Sequence, residues 1–475
     1  MAELLTPDIC VIGAGAGGLS VAAAAAAFGV PVVLIEKDKL GGDCLYTGCV
    51  PSKSLIAAAE RVRAIAGAPA FGVSAGRVDV DFGKVHAHVH DVIAAVAPND
   101  SRERFTGLGV RVIAGTARFK DRNTVVVDDG TEIRARRFVI ATGSSPSVPP
   151  IPGLDAVPFL TNETVFDLTT RPDHLVVIGA GPIGLELAQA FRRLGAAVTV
   201  LEAGQPLARE DVECADVVLA ALAREGVDLR RGVTVAGVEA AGAKLKVVVR
   251  GDGGEQAIEG SHLLVATGRT ATVAGLALEA AGIATDRAGI RVDEGLKTSN
   301  RRVYAIGDVA GRGQFTHLAN YHAGLVIRNA LFRLPVKADD DLVPRVTFTD
   351  PELAQVGLTE AAARARRGGL RVLRWPYHEN DRAQAERKTA GHIKVITDRR
   401  GRILGATIVG ASAGELITTW TLAVARGLNI RALAGIIVPY PTLAEIGKRA
   451  ATTYFILSLT SNRVRRVIGW LRRLG

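Results

Sequence analysis

One pattern occurs twice in this chain, and it limits the possible folds more than any other feature. Asp8 to Lys37 reads DICVIGAGAGGLSVAAAAAAFGVPVVLIEK, and His174 to Gly204 reads HLVVIGAGPIGLELAQAFRRLGAAVTVLEAG. Each is a short apolar strand, a glycine-rich turn, a helix, and a second apolar strand ending on an acid. The first copy has Gly13, Gly15, Gly18 and Glu36; the second has Gly179, Gly181, Gly184 and Glu202. In both, the acid lies 23 residues beyond the first glycine. The first glycine permits the tight turn, the second lets a pyrophosphate approach the backbone, and the third lets helix pack on strand. The terminal carboxylate can accept from both hydroxyls of an adenosine ribose. A lone glycine motif says little, but strand, turn, helix and acid at this spacing point to a dinucleotide. The duplication predicts two such sites on two α/β domains.

The length of 475 residues suits two to four domains, and 48% apolar residues are enough for large cores. Four cysteines, at 10, 44, 49 and 214, do not make a secreted disulfide scaffold. The opening MAELLTPDICVIGAGAGG has no basic leader before its apolar run and reads as strand and turn, so a cytoplasmic location is expected. The alanine-rich LSVAAAAAAFGV falls short of a membrane span. The net charge of +10 comes from scattered arginines with no nucleic-acid motif, and no nucleic-acid partner is expected.

Two further strands end on small residues. RFVIATGSSPSVPPIPG breaks at Thr142 and Gly143, and HLLVATGRTA repeats that ending at Gly268. Small residues there let a strand end touch a nucleotide-binding turn. The proline-rich stretch Pro146 to Pro152 reads as a crossing between domains. NRRVYAIGDVAG then places Asp308 after another apolar strand, where a carboxylate can accept from a ribityl hydroxyl.

The segment LGGDCLYTGCVPSK holds Cys44 and Cys49 five residues apart. A zinc site needs about four ligands, and this segment offers two. His86, His88 and His90 alternate as on a strand face but are equally compatible with a helix. No metal site is expected, and a redox pair is favoured over an inert disulfide. Pro51 suits the first turn of a helix, which puts Cys49 near a helix N-terminus, where a thiolate is favoured. Lys53 follows Cys49 by about one turn.

Taken in order, GAGAGG with Glu36, GGDCLYTGCVPSK, ATGSSP, GAGPIG with Glu202, ATGR and AIGDVAG resemble the flavin-dependent pyridine nucleotide–disulfide oxidoreductases, in type nearest the mercuric reductase-like and dihydrolipoamide dehydrogenase-like members. The resemblance covers about residues 5 to 460. It implies two Rossmann-like α/β domains plus a C-terminal α+β dimerisation domain, and a homodimer. The expected divisions are an FAD domain at 1–147 and 271–338, an NAD(P) domain at 148–270, a dimerisation domain at 339–460 and a basic amphipathic tail at 461–475. It implies FAD at the first turn, with Gly13, Gly15, Gly18, Glu36, Lys37, Gly42, Thr142, Gly143 and Asp308 as candidate contacts. It implies a nicotinamide dinucleotide at Gly179, Gly181, Gly184, Glu202 and Gly268. A carboxylate at Glu202 repels a 2′-phosphate, and no arginine occurs from Ala203 to Leu207, so NADH is expected over NADPH.

The resemblance also implies roles. Cys49 is the flavin-side thiol and Cys44 the exposed interchange thiol. Lys53 stands beside the flavin, paired with Glu186. Reducing equivalents from NADH reach the cysteine disulfide by way of FAD, and the resulting dithiol serves an external acceptor. The family's disulfide reductases carry histidine-proline-threonine with a glutamate five residues past the histidine, supplied by the partner subunit. Here IIVPYPTLAEIGKRA places Tyr440 at the histidine position and keeps Glu445. A phenol is a poor base at neutral pH, so Tyr440 either assists differently or only fills the interface. A tyrosine there resembles the mercuric reductase type, although this chain shows neither that type's N-terminal metal-binding cysteine pair nor its C-terminal one. The expected acceptor is therefore a disulfide or a soft metal ion, with mercuric reductase proper, dihydrolipoamide dehydrogenase and a flavin oxidase or quinone reductase as alternatives. In SNRVRRVIGWLRRLG, apolar residues recur at helical spacing among five arginines, which is compatible with an anionic membrane surface or with packing on the dimer.

Overall fold

A computed structural model describes residues 3–474 except 75, 77, 243, 367 and 460. The chain divides into two compact units, one of residues 1–180, 190–203 and 232–340, the other of 181–189, 204–231 and 341–475.

The first unit is organised by parallel sheets, as the duplicated pattern predicts. Ile9–Ile12 lies in the middle of a five-stranded sheet, between Val32–Glu36 and Arg137–Ile140, with Arg111–Ala114 and Val303–Ala305 at the edges. A strand buried on both faces needs an unbroken apolar run, and Ile9, Cys10, Val11 and Ile12 are all buried. The edge strand Val303–Ala305 comes from far along the chain, so the first sheet is completed only after the second has been built. In that second sheet His174–Ile178 pairs in parallel with Ala197–Glu202 and with His262–Val265. The outgoing crossing Ser144–Pro146 and the returning Arg269–Ala271 run antiparallel side by side. A three-stranded antiparallel meander, Thr234–Ala241, Lys244–Gly251 and Gly254–Gly260, precedes the last strand of the second sheet.

His86, His88 and His90 lie on the helix Phe82–Val96, not on a strand. One turn separates His86 from His90, and their rings sit 4.2 Å apart, while His88 points to another face.

The second unit is built on a five-stranded antiparallel sheet with Ile403–Gly410 at its centre, flanked by Glu352–Gly357 and His392–Asp398. The helix Ala413–Ala425 covers it, burying Ile417 and Trp420. The stretch GHIKVITDRRGRILGATIVGASAGELI supplies two of these strands and the start of that helix. Lys394 is buried on this sheet and meets Asp211 at 2.9 Å, Glu213 at 3.0 Å and Glu360 at 2.8 Å. Three carboxylates around one buried ammonium fasten the helix Val212–Arg224 to the sheet, and such a group loses its balance if the lysine alone is removed.

Candidate active site

Two helix starts bring the cysteines together. Cys44 lies in the short helix Gly42–Tyr46, and the helix Cys49–Gly67 begins on Cys49 itself. Pro51 falls in the first turn, where its missing N–H costs no helical bond. Both residues are thiols here, Cys44 half-buried and Cys49 exposed. The Cys49 Sγ lies 3.4 Å from the Thr316 Oγ1, at the start of the helix Thr316–Phe332. A hydrogen bond from Cys44 is the largest influence on Cys49; aided by Thr316 and the Lys53 charge, and opposed by partial burial, it draws the Cys49 thiol down to about 6. The same hydrogen bond, followed by burial, pushes Cys44 far up. The pair thus favours one negative charge at neutral pH, carried by Cys49.

The short helix is held in place by a polar network. Asp43 accepts from the Asn162 side chain at 3.0 Å and from the Thr47 hydroxyl at 2.8 Å, and it pairs with Arg269 at 3.3 Å. Arg269 donates to the Ser144 hydroxyl at 2.8 Å and the Ser144 carbonyl at 2.7 Å. The Ser144 hydroxyl donates to Asp308 at 2.6 Å, and burial raises the Asp308 carboxyl above its ordinary range. The ATGR ending and Asp308 are therefore linked through side chains to the residue before Cys44. The motifs marked the positions of Ser144, Arg269 and Asp308 in the sequence. Nothing marked Thr316 or Asn162, whose contacts span 267 and 119 residues.

The two glycine turns have the same construction. A side chain on Gly13 would meet the Ala141 carbonyl at 2.5 Å, and one on Gly179 would meet the Ala266 carbonyl at 2.5 Å. Both glycines have positive φ, +100° and +105°. The strand ends before Thr142 and before Gly268 do touch these turns. The Glu36 Oε2 accepts from the Ala14 N–H at 2.6 Å, and the Glu202 Oε2 from the Ala180 N–H at 2.8 Å. The space beside Gly15 and Gly181 is open among the described residues. A carboxylate held at the mouth of a bare-backbone turn fits the adenosine ribose and pyrophosphate of a dinucleotide in each copy. Lys37 is exposed beside Glu36, and Gly42 backs onto Gly15, where an added carbon would come within 3.0 Å of its Cα.

The remaining candidates lie in the second unit. Glu186 is buried on the helix Pro182–Arg193, and its Oε1 accepts from the Phe348 N–H at 2.8 Å. Glu445 opens the helix Glu445–Leu459. Tyr440 is 69% exposed and donates its hydroxyl to Asp381 at 2.7 Å. That carboxylate holds the phenol proton and pushes Tyr440 above its ordinary range.

The family described as pyridine nucleotide-disulphide oxidoreductase matches residues 7–323, and the dimerisation domain of that family matches 343–451. The chain is 38% identical to a mercuric reductase of Bacillus cereus, over 94% of this chain and 71% of that protein. It is 37% identical to a dihydrolipoyl dehydrogenase of Thermus scotoductus, over 93% of this chain and 95% of that protein. Its fold superimposes with a TM-score of 0.83 on the Cu(II) complex of the HOCl-induced flavoprotein disulfide reductase RclA from Escherichia coli, at 29% identity, covering 94% of this chain and 99% of that one.

Proposed function

We propose, from the premise that this chain belongs to the pyridine nucleotide-disulphide oxidoreductase family, that it passes electrons from NADH through Cys44 and Cys49 to a soft metal ion in preference to a small disulfide. The coarser activity follows from membership: an FAD-dependent, NAD(P)H-linked oxidoreductase that pairs through its dimerisation domain. When bound, FAD accepts a pair of electrons from the nicotinamide and hands them on to the cysteine disulfide. Gly13, Glu36 and Asp308 would hold that group, and Gly179 and Glu202 the nicotinamide dinucleotide. Glu202 presents a carboxylate where a 2′-phosphate would sit, which supports NADH.

The observation that carries the reading is the hydrogen-bonded thiol pair with its charge on Cys49. Reduction breaks the Cys44–Cys49 bond and leaves one thiol and one thiolate. In our reading the Lys53 charge steadies that thiolate. For a disulfide acceptor, Cys44 gives up its proton and attacks one sulfur, and the departing thiolate must gain a proton. Cys49 then attacks the Cys44 sulfur, restoring the bond and releasing the second thiolate. The first transfer needs a base and the second an acid, roles that one group titrating near neutrality fills in turn. Tyr440, supplied by the partner with Glu445, cannot act as that base, because Asp381 holds its proton in place.

A soft metal ion removes the second of these transfers. As the ion draws both sulfurs to itself the Cys44 proton passes to solvent, two electrons go to the ion as the sulfur–sulfur bond closes, and no departing sulfur anion is left to protonate. Relatives named as mercuric reductases and a Cu(II)-bound structural neighbour agree with this reading. The location we propose is the cytoplasmic compartment. The test is a stopped-flow screen of the NADH-reduced protein against Hg(II), Cu(II), glutathione disulfide, lipoamide and a quinone. Faster reoxidation by a disulfide than by either metal ion overturns the preference.

A further inference from the structure

The segment 461–474 takes no part in the chemistry above, and it lies beyond the residues that match the dimerisation domain. It forms the helix Asn462–Leu471, capped by the Ser461 hydroxyl on the Val464 N–H. Val464, Val467, Ile468 and Leu471 recur at intervals of three and four, so they share one face. That face is not packed away: Val467, Ile468 and Leu471 are exposed, and so is Leu474 just beyond. Trp470 lies at the flank of the stripe and is 60% exposed. Arg465 and Arg472 fall on one side of the stripe, Arg463 on the other, and Arg466 and Arg473 opposite it. From Ile446 to Leu474 there is no aspartate or glutamate, while Lys448, Arg449 and these five arginines are all basic.

From this we infer that 461–474 is an interfacial helix that docks the protein on an anionic lipid surface. The apolar stripe enters the acyl boundary, Trp470 sits at the headgroup level, and the arginines meet lipid phosphates. Charge decides the choice of partner. A second copy of this chain would bring the same acid-free, arginine-rich strip against itself, and like charges would oppose the contact. An anionic bilayer offers the complementary charge together with an apolar layer. The helix is too short to cross, and among the described residues no helix is long and apolar enough to span a membrane, so the contact is one of surface docking.

The test uses full-length, flavin-loaded protein with vesicles of phosphatidylcholine alone and of equal parts phosphatidylcholine and phosphatidylglycerol. Co-sedimentation with the anionic vesicles only, weakening as salt is raised, is expected. Trp470 is the most exposed of the three tryptophans, since Trp420 is buried and Trp375 half-buried, so its emission should shift to the blue on binding. Arg463→Gln, Arg465→Gln and Arg466→Gln together should lower vesicle affinity about a hundredfold. Ile468→Ser with Leu471→Ser should lower it at least about tenfold, with NADH-linked turnover in solution unchanged. Binding that survives either set of changes overturns the inference. So does a loss of the dimer in sedimentation when the apolar stripe is replaced, since that would assign the stripe to a second copy. The triple glutamine variant leaves the apolar stripe intact, so it tests the charge even if the serine variant misfolds.

Discussion

The segment around Cys49 and the segment around Tyr440 each hold a weak acid, and the chain treats the two in opposite ways. Cys49 receives a hydrogen bond from Cys44, another from Thr316 and a positive charge from Lys53, all of which favour its anion. Tyr440 gives its hydrogen bond to a carboxylate, which favours its neutral form. One rule covers both: donors and cations beside an acid lower it, acceptors and anions raise it. In our reading, the segment that receives electrons keeps the family's cysteine pair, while the segment proposed to serve the acceptor carries a phenol where the family's disulfide reductases carry a histidine. Substrate choice is then a question about the second half.

The largest effects should come from the first half. Cys49→Ser or Cys44→Ser should lower turnover with every acceptor about 10³-fold or more, because neither the disulfide nor its dithiol can form. FAD content should stay near that of the unaltered protein, which absorbance checks directly. A serine variant that still reduces Hg(II) at the normal rate would mean that the electrons bypass the pair. A smaller effect is expected in the second half. Tyr440→His should raise glutathione-disulfide or lipoamide turnover about 10²-fold and add an ionisation near pH 6 to 7. Hg(II) reduction should not change. Should Tyr440→Phe leave a fast disulfide turnover untouched, the contrast between the two halves collapses.

Much of this contrast is legible in the residues alone, but unevenly. The duplicated turns are local, so sequence spacing is enough to locate Gly13, Glu36, Gly179 and Glu202. The cysteine pair is equally local, and Pro51 signals the helix that begins on Cys49. The Tyr440 replacement is visible because Pro441, Thr442 and Glu445 keep its register. What the sequence hides is the set of partners. Thr316 reaches Cys49 across 267 residues, and Asp381 reaches Tyr440 across 59. Each is one ordinary polar residue among many, and only the folded chain selects it. The buried Lys394 is hidden for the same reason, since its three carboxylates come from two distant stretches. The histidine alternation at 86, 88 and 90 shows the converse limit: a period of two over so few residues does not separate strand from helix.

A third expectation concerns electron entry. Glu202 lies at the second turn as Glu36 lies at the first, each carboxylate bonded to the N–H after the leading glycine. If Glu202 selects the free ribose, Glu202→Ala should reduce the preference for NADH over NADPH about tenfold, chiefly through KM. Flavin content should not move, because the first turn is untouched. Wild-type protein that prefers NADPH would show that the carboxylate does not discriminate.

The smallest effect tests the comparison at its root, in the charge on Cys49. Its thiol lies at about 6, below the ordinary range, so the thiolate predominates at higher pH and is lost as the pH falls through that value. Alkylation of the dithiol form by iodoacetamide should therefore quicken as the pH rises from about 5 to about 7, then level off until Cys44 begins to ionise. Cys44→Ala removes the largest stabilising influence and should move the Cys49 midpoint upward the most. Thr316→Val removes a weaker one, a 3.4 Å contact to sulfur, and should move it upward by less than about one pH unit. The valine keeps the size of the side chain, so packing at the start of the helix Thr316–Phe332 should persist. Tyr440→Phe should leave this titration where it is, because in our reading the phenol acts on the acceptor side only. A midpoint near 8.5 in the unaltered protein, the value of an unassisted thiol, would break the comparison, because Cys49 would then be no better an anion than Tyr440 is a base.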